Sequence, residues 1–194
     1  MKDPRQFVPA TGQAWTTLSV MRSSATYRNS FEPISQTDEF EKRLTSISTS
    51  PKFAIGQRCI LIETQAHGNV LWDCITYLDE ETIAFIEAKG GLSAIVISHP
   101  HYYTTHLEWA KIFRCPVYLA KDDEMWLSQV DEEGRRSLFE ETTLQVVEGV
   151  TAIKVGGHFP GSLCLLWQGK LMIADSLVTV PVSSIEGFAI RSSF

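Results

Sequence analysis

Hydrophobic residues along the chain fall into short runs separated by turn-forming residues. The clearest run, Ser93-Ala94-Ile95-Val96-Ile97-Ser98, is continuously apolar and β-branched at its centre, which predicts a strand buried on both faces. Arg58 to Glu63 and Val70 to Cys74 read as two more strands flanking a turn at Gln65-Ala66-His67-Gly68-Asn69. Asp79 to Lys89 has acids in its first turn, apolar Ile83, Ala84, Ile86 and Ala88, and Gly90-Gly91 directly after. That arrangement predicts a helix with a glycine stop. Leu107 to Phe113 is predicted as helix, Pro116 to Ala120 as strand, Asp122 to Gln129 as a short helix and Asp131 to Arg136 as a charged loop. The second half returns to strands at Thr143–Val147, Thr151–Val155, Ser162–Trp167 and Leu171–Ala174, with Gln168-Gly169 as a hairpin turn. This order predicts two packed sheets with helices outside, an α/β or α+β sandwich.

Residues 1–50 break the pattern, because Ser and Thr crowd them and apolar periodicity is poor. They read as an N-terminal Ser/Thr-rich arm, partly ordered where aromatics such as Phe7 and Trp15 dock. Residues 51–194 read as one domain.

Composition narrows the functional classes. With 194 residues, 44% of them hydrophobic, the chain can bury a sizeable core. A net charge of -6 without a long basic run argues against nucleic acid or an anionic membrane as the main partner. No apolar stretch approaches the ~20 residues of a spanning helix, and Met1-Lys2-Asp3-Pro4-Arg5 leads into polar residues, so a cytoplasmic location is expected. Cys59, Cys74, Cys115 and Cys164 share no C-x-x-C spacing and read as buried free thiols.

The candidate chemistry gathers at strand ends. His99 and His101 follow the buried run directly, and residues i and i+2 at a strand end project to one side. His158 sits in the tight loop Gly156-Gly157-His158-Phe159-Pro160-Gly161-Ser162, and Asp175 follows Leu171-Met172-Ile173-Ala174. Imidazole is the commonest zinc ligand, and catalytic zinc sites use three protein ligands with one open position. Singly these are weak signals; together they make a coherent metal set of His99, His101, His158 and Asp175. His106 recurs with Trp109, Ala110 and Phe113 at helical spacing and reads as part of a packing face.

Over residues 52–180 these segments resemble the metallo-β-lactamase superfamily. Leu71-Trp72-Asp73 matches its "LID" strand end, and His99-Pro100-His101 matches part of its H-x-H-x-D-H motif. Gly157-His158-Phe159-Pro160-Gly161-Ser162 matches its "GHT-PGS" loop, and Ala174-Asp175-Ser176-Leu177 its "GDxL"-like segment. The resemblance implies an αββα sandwich with the metal at the edge between two sheets. It implies a hydrolase of a small-molecule substrate, using one metal-bound water on an ester, thioester, amide or phosphoester. The metal, zinc with iron or manganese as alternatives, would be held by His99, His101 and His158. Asp175 would complete the shell or orient the water, and Asp73 would steady the histidine loop. Two departures matter. Tyr103 and Thr104 stand where the motif's Asp-His pair builds a second metal site, and no histidine follows His158. An incomplete second half is therefore expected, with self-association through an exposed sheet edge. The alternative reading is a catalytically inert binding module of the same fold.

Overall fold

A computed structural model describes residues 12, 15–64, 67–180 and 189–191. After a short helix α1 (Leu18–Ser23), seven strands form one sheet in chain order. They are β1 (Arg28–Pro33), β2 (Leu44–Ser50), β3 (Arg58–Ile62), β4 (Val70–Trp72), β5 (Ala94–Val96), β6 (Val117–Ala120) and β7 (Arg136–Phe139). Pairing is antiparallel from β1 to β4 and parallel from β4 to β7. Parallel neighbours need crossovers, supplied by α2 (Glu80–Ala88) and α3 (His106–Phe113). Two successive crossovers of the same hand place both helices on one face of the sheet.

Local chemistry fixes these helices. The Asp79 carboxylate accepts the Thr82 N–H at 2.9 Å, capping α2, and Gly90 and Gly91 leave it at φ +100° and +72°. In α3, His106, Trp109, Ala110 and Phe113 are all buried, as the helical spacing predicts.

The central strands of the first sheet are buried on both sides, so alternate residues enter different cores. Leu61, Leu71, Ile95 and Leu119 pack with Ile86, Trp109 and Phe113 of the helices. Ile62, Val70, Trp72 and Val96 face a second sheet and meet Val150, Leu163, Leu165 and Trp167. That sheet is antiparallel, with order β11-β10-β9-β8, from β8 (Thr143–Val147), β9 (Val150–Lys154), β10 (Leu163–Trp167) and β11 (Lys170–Met172). Gln168 and Gly169 turn the β10–β11 hairpin, both at positive φ. A last hairpin pairs β12 (Val178–Val180) with β13 (Ala189–Arg191).

The layers are therefore helix, sheet and sheet. Among the described residues no helix covers the outer face of the second sheet, where Leu166 stands opposite Leu171. Those two side chains are 37% and 51% exposed.

Several elements differ from the sequence expectation. Part of the Ser/Thr-rich segment forms β1 and β2, because Leu44 and Ile47 point inward while Ser46 and Ser48 do not. Trp15, read as a docking anchor, is 85% exposed, and Phe7 lies outside the described residues. Lys121–Trp126 is a 3-10 turn rather than a helix running to Gln129. The charged loop passes at Arg136 into the edge strand β7. All four cysteines are buried free thiols.

Candidate metal centre

Strand β5 ends at the seam between the sheets. Its next residue but one, Ser98, accepts the Leu163 N–H on its carbonyl at 2.8 Å, joining the start of β10 to the end of β5. That cross-sheet bond sets the His99 segment beside the loop that carries His158.

Behind Ser98 lies Asp73, buried and at φ +65° directly after β4. Its carboxylate accepts the Ser98 N–H at 2.7 Å and the Ser98 hydroxyl at 2.9 Å. Burial pushes the Asp73 carboxyl up to about 8, against the pull of those two bonds. The Ser98 hydroxyl also lies 2.8 Å from His99 Nδ1. A hydroxyl that donates to Asp73 accepts from His99 Nδ1–H, which leaves the lone pair of His99 Nε2 facing the seam. Asp73 thus steadies the histidine segment through Ser98 and orients the ring of His99.

His101 follows on a 3-10 turn, Pro100–Tyr102, which swings its ring back beside His99. Gln57 Nε2–H donates to the His101 carbonyl at 2.6 Å, and Thr76 holds Gln57 in turn. His158 is presented by a loop closed on itself: Phe159 N–H donates to Ser162 Oγ at 2.8 Å, and Gly156 N–H to the Ser162 carbonyl at 3.1 Å. Asp123, fully buried, accepts Gly161 N–H at 3.0 Å and pins that loop to the first sheet. The approach is close enough to require glycine, since a Cβ at position 161 would lie 2.7 Å from Ala120 Cβ and 2.8 Å from Asp123 Oδ2. Asp175 arrives on the turn Ala174–Ser176 after β11.

The structure brings His99, His101, His158 and Asp175 together, with one ligand atom of each lying within 4.8 Å of all the others. His101 Nδ1 is 3.2 Å from His99 Nε2 and 3.5 Å from His158 Nε2. Asp175 Oδ2 stands 3.4 Å from His99 Nε2, 3.8 Å from His158 Nε2 and 4.0 Å from His101 Nδ1. A tetrahedral ion with ligand bonds of about 2.0–2.1 Å separates its donors by about 3.3–3.4 Å. The donor types and their spacing fit such an ion, so the group could hold one.

Electrostatics agree with that geometry. The imidazoles of His101 and His99 hold the Asp175 carboxyl well below the usual carboxylate range. Burial, then the neighbouring rings of His99 and His101, push His158 down. Three nitrogen donors converging with one carboxylate favour a cation at their centre.

The remaining sequence candidates lie apart. His106 turns into the core, where Nδ1–H donates to the Tyr103 carbonyl at 2.5 Å. Tyr103 is buried, Tyr102 packs against the helix-side core with its ring edge-on to His99 at 5.2 Å, and burial raises both hydroxyls. Raised phenols of this kind are weakly ionised and poor bases at neutral pH. Sequence reading missed Ser98, Gln57 and Asp123. Ser98 alone had a signal, as a hydroxyl immediately before a strand-end histidine.

The class defined by this fold and site is a two-sheet sandwich with a three-histidine, one-carboxylate cluster in its seam. The chain is 39% identical over 184 residues to YmaE, an uncharacterized protein of Bacillus subtilis (strain 168), covering 92% of this chain and 64% of that one. It therefore spans less than two thirds of the length of that curated relative. No family model matches. Similar solved structures include the metallo-β-lactamase SMB-1 in complex with mercaptoacetic acid, at TM-score 0.48 and 16% identity over 66% of this chain and 58% of that one. Another is TTHA1623 in a di-iron-bound form, at TM-score 0.45 and 22% identity over 58% of this chain and 62% of that one. Among the described residues no helix is long and apolar enough to cross a membrane.

Proposed function

We propose that the chain is a metal-dependent hydrolase acting on a small-molecule ester, thioester, amide or phosphoester. The observation that carries this reading is the convergence of four donor atoms from both sheets within 4.8 Å. His99 and His158 offer Nε2, His101 offers Nδ1, and the Ser98–Asp73 relay fixes the His99 tautomer. Asp175, partly exposed, completes the donor set or accepts a proton from water in the open position. When bound, a divalent ion supplies a Lewis acid that polarises a carbonyl or phosphoryl oxygen and acidifies water. Histidine and carboxylate donors with this spacing suit zinc first, and iron or manganese also match the donor types. One ion is proposed, because Tyr103, at the position of a second-site ligand, is buried in the core.

Metal content of the purified protein, measured by mass spectrometry beside His99→Ala and His158→Ala, tests the site. About one ion per chain is expected in the parent and a small fraction of that in either variant. Hydrolysis of an ester, thioester and phosphodiester panel with and without added zinc then tests the reaction.

A second reading, an inert binding module, is favoured by one observation. Burial raises the hydroxyls of Tyr102 and Tyr103, which leaves Asp175 as the ionised oxygen beside the cluster for the task of a base. Stoichiometric metal with no turnover across the panel would decide for it.

A further inference from the structure

An aromatic shelf adjoins the cluster and takes no part in holding it. Phe159, the residue after His158, lies with its ring centroid 4.8 Å from His158, 5.2 Å from His101 and 5.7 Å from His99. Trp126, at the end of the 3-10 turn after β6, packs edge-on against Phe159 at 5.7 Å. Both rings are only partly buried, so apolar surface runs from the donor atoms outward over two aromatic side chains. Such rings offer large apolar contact area at low conformational cost.

Charge near the shelf points the same way. Among the described residues, no Lys or Arg forms an ion pair with the four donors, whose partners are one another. Lys121, on the turn that carries Trp126, pairs with Glu140, and Lys154 of β9 pairs with Asp122 of that turn. At this turn a phosphodiester or carboxylate substrate would meet lysines already paired, whereas an uncharged acyl group would meet apolar surface.

We propose that Phe159 and Trp126 form the acyl subsite, and that the substrate is an uncharged ester or thioester of an apolar acid. The proposal rests on the hydrolase reading above and narrows it. The ring centroids step 4.8 Å from His158 to Phe159 and 5.7 Å from Phe159 to Trp126, so an extended acyl chain of roughly eight carbons, at about 3.6 Å per three bonds, passes over Phe159 and reaches toward Trp126. Hydrolysis there breaks the acyl C–O or C–S bond, adds the water hydroxyl to the acyl carbon and returns the proton to the leaving alcohol or thiol.

The test is a calorimetric titration of zinc-loaded full chain with straight-chain hydroxamic acids of two to eight carbons. Affinity is expected to rise at least about tenfold across the series, consistent with partial burial of the added methylenes. Trp126→Ser should flatten that rise and Phe159→Leu should keep part of it, with Leu171→Ser as a control that retains all of it. Equal affinities across the series overturn the proposal, as does faster turnover of a phosphodiester than of an octanoyl ester. If the protein binds no metal, the hydrolase reading fails separately. The subsite is then judged on metal-free protein by tryptophan fluorescence: quenching by octanoate but not acetate, lost in Trp126→Phe, supports it, and no quenching overturns it.

Discussion

The two sheets solve the same burial problem differently. The first is covered on both faces, by α2 and α3 on one side and the second sheet on the other, and its central strands are apolar at every position. Among the described residues the second is covered on one face only, and β10 and β11 put Leu166 and Leu171 toward solvent. Stability therefore concentrates in the first sheet, while the second contributes Asp175 on the turn after β11 and His158 through a loop that the first sheet holds in place. The Leu163–Ser98 and Gly161–Asp123 hydrogen bonds are those holds. The site is as precise as the clamps between the layers, not as the outer layer itself.

The largest test of that contrast is Trp109→Ala. Trp109 is fully buried and its indole N–H donates to the Ile75 carbonyl at 3.0 Å. A loss of about 3–5 kcal/mol is expected in urea unfolding. Next comes the clamp: Gly161→Ala drives a methyl group against Ala120 and Asp123, and overpacking of this kind costs about 1–3 kcal/mol. Zinc affinity, read by competition with a chromophoric chelator, should fall with it, because the His158 loop is displaced. Unchanged affinity would show that the loop is not set by this contact.

A smaller effect concerns acid. Burial holds His106 below its ordinary value, with the Tyr103 carbonyl, Arg136 and Asp131 as the other groups acting on it. A histidine with a depressed folded value binds fewer protons folded than unfolded. Stability is therefore lost as pH falls through the window beneath about 6.5, and is unaffected above it. His106→Gln, which keeps a donor for the Tyr103 carbonyl, should reduce that acid sensitivity when urea midpoints at pH 7.5 and 5.5 are compared. An equal drop in both proteins would assign the sensitivity elsewhere. Smallest of all is the open face: Leu166→Ser and Leu171→Ser should each change stability by less than about 0.5 kcal/mol. A reduced tendency to self-associate, seen by light scattering, is the expected visible change.

How much of this was legible follows from the same contrast. The continuous run at residues 93–98 could be read directly, because a strand buried on both faces needs no polar alternation. α2 was legible from its acidic start and glycine exit. β1 and β2 were not, since an edge hairpin that buries only some positions can fill the others with Ser and Thr. β7 was hidden for a related reason: its first residue, Arg136, belongs to a charged run whose loop character ends only where Leu138 and Phe139 turn inward. The four donors stood out because strand ends and glycine loops are where chains present side chains. Gln57, Asp123 and Trp126 become visible only in space, since partners such as Gln57 and His101, 44 positions apart, or Asp123 and Gly161, 38 apart, are joined by nothing in the linear pattern.

Ser98 shows what such joining demands of one position. Its N–H and hydroxyl serve Asp73, its oxygen meets His99, and its carbonyl receives β10. The backbone bonds can survive any side chain, but the other two require a hydroxyl on the β carbon, in a space closed to solvent. Of the twenty amino acids only serine and threonine carry one, and threonine brings an added methyl. In a saturation library scored for metal content, position 98 should therefore accept serine and at most threonine, a shorter alphabet than the deep core, where several apolar shapes can trade places.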